Sequence, residues 1–159
     1  GKSIRTVLVK EVTLASDGAC KKNPGQGGWD CILRCDGHEK VLQGTEPDTT
    51  NNRMELRAVI EGFKALKEPV AVTVVTDSKY VTNAYSERWL AKWKTNGWMT
   101  NAGPVKNQDL WQELDALVQM HQVKWVWVKS HSKNTDDYSV LNSRVDVLAQ
   151  KEAGTYKGD

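Results

Sequence analysis

Short β-branched runs dominate the first third of the chain, and apolar residues at helical spacing dominate the rest. Arg5 to Ser16 contains Thr6-Val7-Leu8-Val9 and Val12-Thr13-Leu14, a strand pattern that meets a turn signal at Asp17-Gly18. Asn23-Pro24-Gly25-Gln26-Gly27-Gly28 marks a second turn, followed by strands over Trp29–Arg34 and Glu39–Gly44. Asp36-Gly37 between them favours a tight hairpin, so three antiparallel strands are expected. From Asn51 to Lys67, the residues Leu56, Val59, Ile60, Phe63 and Leu66 recur at helical spacing, and Pro69 follows. Val70–Thr76 is apolar without alternation, as in a strand buried on both faces, and Val123–Val128 reads the same way. Asp77-Ser78 opens a second helical stretch. Leu110, Leu114, Leu117 and Val118 mark a third ending near His121, and Ser143–Ala153 forms the last. The order β-β-β-α-β-α-α-β-α predicts an α/β fold, a mixed sheet flanked by helices. One domain is expected over residues 1–159, with its core at about 5–153 and a fraying tail over 154–159.

Composition narrows the class. A hydrophobic fraction of 39% and a charged fraction of 26% fit a globular domain and argue against disorder. No run suits a membrane span, and residues 1–12 lack the pattern of a signal peptide. Cys20, Cys31 and Cys35 form no CxxC and have no histidine at zinc-ligand spacing. An odd cysteine count points to free thiols in a reducing compartment, the cytoplasm, with Cys31 and Cys35 sharing one face of a strand as core. The net charge of +2 hints only faintly at a polyanionic partner, but it is unevenly spread. Ser86–Lys106 carries Arg88, Lys92, Lys94 and Lys106 against Glu87 alone, and holds three of the seven tryptophans, Trp89, Trp93 and Trp98.

An α/β sheet binds ligands just beyond the carboxyl ends of its strands, and two of four candidate acids fall there. Asp17 ends the first strand and Asp77 the fourth; parallel pairing of those strands would bring both to one edge. Glu55 lies early in the Asn51 helix, and Asp146 early in the last. Each acid also has a structural explanation. Asp17 before Gly18 suits a turn. Asp77 or Ser78 suits an N-cap. Asn52-Arg53-Met54-Glu55 and Ser143-Arg144-Val145-Asp146 suit capping boxes, and Asp146 would also complement a helix dipole. Convergence would instead be chemical: clustered carboxylates need positive charge, which hard divalent ions supply. Two such ions about 3.5–4 Å apart can stabilise the attacking and leaving oxygens of an in-line phosphoryl displacement. Neither a Gly-x-Ser-x-Gly elbow nor a Walker loop is present. His131, in the polar loop after Val128, is either an inert surface residue or a proton carrier to the leaving oxygen.

The motifs Ser16-Asp17-Gly18-Ala19-Cys20, Asn23-Pro24-Gly25 and Thr50-Asn51-Asn52-Arg53-Met54-Glu55-Leu56 resemble those of the bacterial type 1 ribonuclease H family. So do Thr76-Asp77-Ser78-Lys79-Tyr80, Trp127-Val128-Lys129-Ser130-His131 and Asn142-Ser143-Arg144-Val145-Asp146, and the likeness covers roughly Val12–Ala153. The resemblance implies a mixed five-stranded sheet and Mg²⁺-dependent hydrolysis of the RNA strand of RNA/DNA hybrids, leaving 5′-phosphate and 3′-hydroxyl ends. It implies two ions per site, with Mn²⁺ as a substitute, held by Asp17, Glu55, Asp77 and Asp146, and a mobile histidine at His131. Asn23 and Asn51 match minor-groove contacts, and Thr50 and Asn107 a pocket for a DNA-strand phosphate; Lys79 joins them as a substrate residue. The Ser86–Lys106 segment resembles the family's basic protrusion, with Trp93, Lys94 and Trp98 against the DNA strand. Trp98, after Asn96-Gly97, is expected as an exposed platform, whereas Trp89 suits core or platform equally.

Three features depart from the family pattern. Asp48 stands where relatives often place arginine in the phosphate pocket, the protrusion is less basic, and the His131–Asp146 stretch is longer and lacks glycines. The resemblance implies a monomer needing no protein partner or membrane. A DNA nuclease or strand-transfer domain of the same fold, and a non-catalytic hybrid-binding module, are the alternatives.

Overall fold

A computed structural model describes residues 10–158; the Thr6–Val9 run lies outside the described residues. Three long strands, β1 (Glu11–Cys20), β2 (Gly25–Cys35) and β3 (His38–Thr49), form an antiparallel meander, followed by α1 (Asn51–Lys64) and β4 (Ala71–Thr76). Then come α2 (Lys79–Ser86), α3 (Trp89–Thr95), the two-residue strands β5 (Met99–Thr100) and β6 (Gly103–Pro104), α4 (Gln108–Val118), β7 (Gln122–Trp127) and α5 (Asp137–Ala153). The main sheet has the order β3-β2-β1-β4-β7, with β1 and β4 parallel and β4 and β7 parallel. It is the mixed five-stranded sheet expected. Asp36 and Gly37 both take positive φ, 50° and 78°, so the hairpin dipeptide works as its chemistry predicts.

Alternation along the strands sorts the core into two layers. Leu14, Cys31, Leu33, Val72 and Val74 face α1 and α4 and pack on Leu56, Ile60, Phe63, Leu110 and Trp111. Ala15, Ile32 and Val75 face the other way and pack on Leu141 and Val145 of α5. Each fully buried Leu, Ile or Phe here contributes about 1.5–3 kcal/mol. Arg144 of α5 also makes a two-pronged pair with Glu39 of β3, at 3.0 and 2.9 Å. That pairing and Arg34 hold the Glu39 carboxyl down at about 2.

Several boundaries differ from the sequence reading, each for a physical reason. β1 does not stop at Asp17-Gly18 but continues to Cys20, and Asp17 pairs with Asp30 in mid-ladder. Gly18 is there because α1 passes so close that a Cβ would collide with the Met54 backbone. The second helical stretch is broken at Arg88, in the left-handed conformation at φ 58°, which makes α2 and α3 separate helices and is followed by the β5–β6 ribbon. β7 is an edge strand rather than a strand buried on both faces, and leaves Trp127 43% exposed. α5 begins six residues before Ser143, capped by Asp136, whose side chain accepts from the Ser139 N–H at 3.1 Å. More than half of the longer His131–Asp146 stretch is therefore helix. Among the described residues no helix is long and apolar enough to cross a membrane, and all three cysteines are free thiols.

Candidate active site

The structural explanations offered for the acids fail one by one. Asp17 is inside β1, not in a turn. α1 is capped by Thr50, whose hydroxyl accepts from the Arg53 N–H at 3.2 Å, so Glu55 has no capping role. Ser78 caps α2, which leaves Asp77 between β4 and the helix without that duty. Asp146 lies in the third turn of α5, too far from its start to serve cap or dipole.

What the fold does with them is bring them together. Side-chain oxygens of Asp17, Glu55 and Asp77 lie within 4.8 Å of one another. Parallel pairing of β1 with β4 carries the first and third to the same sheet edge. α1, packed on β1, brings in Glu55, and α5 supplies Asp146 from the opposite face. All four line a cleft of about 570 Å³ together with Asn51, Asn52 and His131.

Electrostatics set this cleft apart. Asp17 is only 3% exposed, and burial, then the negative charges of Glu55 and Asp77, push its carboxyl well above the usual range. Burial, then Asp77, raises Glu55 to about 8, against partial relief from Asp17 and the Gly18 N–H. Asp77 is also raised by burial, opposed chiefly by the Asn142 amide, which donates to its Oδ2 at 3.3 Å. Glu55 Oε2 is buried without a hydrogen-bond partner. An all-carboxylate donor set with an orphaned oxygen fits a hard divalent cation, which would supply the missing positive charge.

Asp146 accepts from Gln150 Nε2 at 3.0 Å and faces His131 Nδ1 at 3.9 Å. His131 adopts φ 54° and leaves its side chain 75% exposed at the rim. Asn142 and Gln150, which steady two of the acids, were not singled out as site residues in the sequence. Gln150 had one legible signal, its place a single helical turn after Asp146.

The other expected contacts surround this centre. Asn23 Oδ1 accepts from the Asn51 N–H at 3.1 Å, which ties the β1–β2 turn to the start of α1. Thr50 and Asn107 flank Arg53, a residue the sequence reading passed over. The Arg53 guanidinium donates to Asn107 Oδ1 at 3.3 Å and to both Asp109 oxygens at 3.0 and 2.8 Å. Lys79 opens α2 and holds its ammonium 4.8 Å from the ring centre of Trp127, whose indole donates to the Asp77 carbonyl at 2.9 Å.

The Ser86–Lys106 protrusion lies apart from the acids. Trp93 is at the centre of an aromatic group, 6.2 Å from Trp89, 6.2 Å from Trp98 and 5.5 Å from Trp111. Trp98, expected as an exposed platform, is half-buried against that group. Lys94 pairs with Asp115 of α4, so one of the segment's cations is engaged within the protein.

Comparison with known proteins agrees with this geometry. The family model described as RNase H matches residues 9–154. The chain is 56% identical over 144 residues to "Ribonuclease H" of Ralstonia nicotianae, covering 90% of this chain and 91% of that one. It is 54% identical over 146 residues to "Ribonuclease HI" of Neisseria meningitidis serogroup A, covering 91% and 97%. A solved type 1 RNase H carrying the type 2 active-site motif superposes with a TM-score of 0.81 at 30% identity, over 93% of this chain and 74% of that chain.

Proposed function

The chain belongs to the ribonuclease H family of hydrolytic nucleases, and on that premise we propose that it cleaves the RNA strand of RNA/DNA hybrids, leaving 5′-phosphate and 3′-hydroxyl ends. The observation that carries this reading is the meeting of Asp17, Glu55 and Asp77, with oxygens within 4.8 Å, at the carboxyl ends of two parallel strands. Asp17, Glu55, Asp77 and Asp146 are the proposed ligands for two Mg²⁺ ions, with Mn²⁺ as a substitute. When bound, such ions neutralise the carboxylates and act as Lewis acids toward the attacking and leaving oxygens of an in-line displacement.

The remaining work belongs to the chain. β1, central in the sheet, gives Asp17 a rigid base, while Asn142 and Gln150 fix the orientation of Asp77 and Asp146. His131, mounted on an exposed loop beside Asp146, is the proposed donor of a proton to the leaving oxygen. Asn23 and Asn51, locked to each other at the cleft's edge, are the proposed minor-groove contacts that recognise the 2′-hydroxyl side of the hybrid. Lys79, at the start of α2, is the proposed contact for the substrate backbone. Thr50 and Asn107 are the proposed contacts for a DNA-strand phosphate. Asp109 offsets the Arg53 charge between them, and Asp48 stands in the sequence where relatives often place arginine, which supports weak binding there. Trp93, Lys94 and Trp98 belong to the proposed DNA-strand face of the protrusion. Free thiols suit the cytoplasm, and we read the active species as a monomer.

The test is incubation with matched RNA/DNA, RNA/RNA and DNA/DNA duplexes, with and without Mg²⁺ or Mn²⁺. Cleavage of the RNA in the hybrid alone, dependent on metal and lost in Asp17→Asn, is the expected result. Cleavage of duplex DNA would favour a DNA nuclease of the same fold, and hybrid binding without cleavage would favour a binding module.

A further inference from the structure

The tail after α5 does not run away from the cleft. Gly154 caps the helix in the left-handed conformation at φ 79°, and the Thr155 N–H turns back to the Gln150 carbonyl at 2.9 Å. Lys151 then holds its ammonium 5.0 Å from the Tyr156 ring centre. The result is that Thr155, Tyr156, Lys157 and Gly158 line the same cleft as the four acids. The close seating of α5 that allows this depends on Gly28, where a Cβ would strike Glu152 and Ala153 at the helix end.

Two further features give the tail a chemical meaning. Among the described residues lining the cleft, Lys157 is the single lysine or arginine. Gln150 links the tail to the acids, because its carbonyl accepts from Thr155 while its side chain donates to Asp146. We propose that Thr155–Gly158 is a substrate-positioning wall of the cleft, in which Lys157 takes a phosphate of the RNA strand next to the reacting one. This rests on the hybrid-cleavage reading above. A nucleic-acid strand lying over the acids must pass along this wall, and a phosphate is the group on that strand that a lysine ammonium would recognise. Tyr156, packed against Lys151, anchors the chain immediately before Lys157.

The experiment uses the full chain with Lys157→Ala, Tyr156→Ala and Lys157→Arg, on a defined RNA/DNA hybrid at several salt concentrations. Thermal melting of each variant confirms folding. For Lys157→Ala we expect KM to rise about 3–10-fold, with the loss on KM rather than kcat. The slope of log KM against log salt should fall by about one phosphate's worth. Lys157→Arg should restore both, and Tyr156→Ala should give a smaller shift of the same kind. Unchanged KM and salt slope would overturn the proposal, as would a rise in kcat/KM, which would make the tail an obstruction. Failure of the parent protein to cut the hybrid would instead overturn the reading beneath it, so the two failures are distinguishable.

Discussion

The acid cleft and the aromatic protrusion are built on opposite terms. In the cleft, elements from across the chain, β1, α1, β4 and α5, hold like charges close together with a buried oxygen left unpaired. In the protrusion, short local elements pack their own aromatic rings, and Lys94 is already neutralised by Asp115. Side chains that satisfy one another stabilise a fold. Side chains that repel one another on a rigid base are retained at a cost in stability, and that cost points to chemistry.

The sharpest way to break this contrast is Asp17→Asn. Cleavage should fall by at least about 10³-fold, the order expected when a group central to charge stabilisation is lost. In metal-free buffer the same variant should melt roughly 2–4 °C higher, because a repelled buried acid has gone. Lower stability with activity intact would reverse the assignment. His131→Ala should leave slow turnover, reduced by about 10²-fold, as for loss of a proton carrier. Single-turnover assays at saturating hybrid check this, and complete inactivity would place the histidine among the essential groups.

On the protrusion the expected losses change character. Trp93→Ala should cost about 2–3 kcal/mol of stability, somewhat less than a fully buried aromatic, and denaturant melts measure it. Lys92→Ala should leave stability alone and weaken hybrid binding only a few-fold, an effect erased at high salt. Lys94→Ala is a less clean probe, since it strands the Asp115 carboxylate as well as removing a cation.

Asp30 tests whether repulsion outside the cleft behaves as it does inside. This residue is fully buried opposite Asp17, with neither oxygen partnered, and burial followed by Glu152 raises its carboxyl to about 7. The folded form holds its proton while the unfolded chain releases it near the ordinary value of 3.8. Stability from this group is therefore full below about pH 4 and is lost as pH rises to about 7. Asp30→Ala should remove that component and gain about 1–3 kcal/mol at neutral pH relative to the parent. Identical pH profiles for the two proteins would show that Asp30 finds relief elsewhere.

Much of this was legible in the residues, and the exceptions have physical causes. Hairpin chemistry at Asp36-Gly37 and the apolar period of α1 act locally, so they read correctly. Asp17-Gly18 misled because the glycine answers to the close passage of Met54, a contact 36 residues away that no local pattern records. The start of α5 was missed because its first turns bury Ser139 and Asn142, polar residues that break the apolar period. The motifs located the acids, but only the fold could show that Thr50 and Ser78 do the capping and leave Glu55 and Asp77 for other work. Gln150 and the tail carry no motif, and their roles follow from where α5 ends.

The orphaned Glu55 oxygen also governs how the site would take up metal. With its carboxyl raised to about 8, Glu55 holds a proton at neutral pH until a cation takes its place. Loading divalent ions would then be an exchange, with cations entering as protons leave for the buffer. The heat of loading would vary with the buffer's own ionisation enthalpy, and occupancy would become a titration of the medium as much as of the metal.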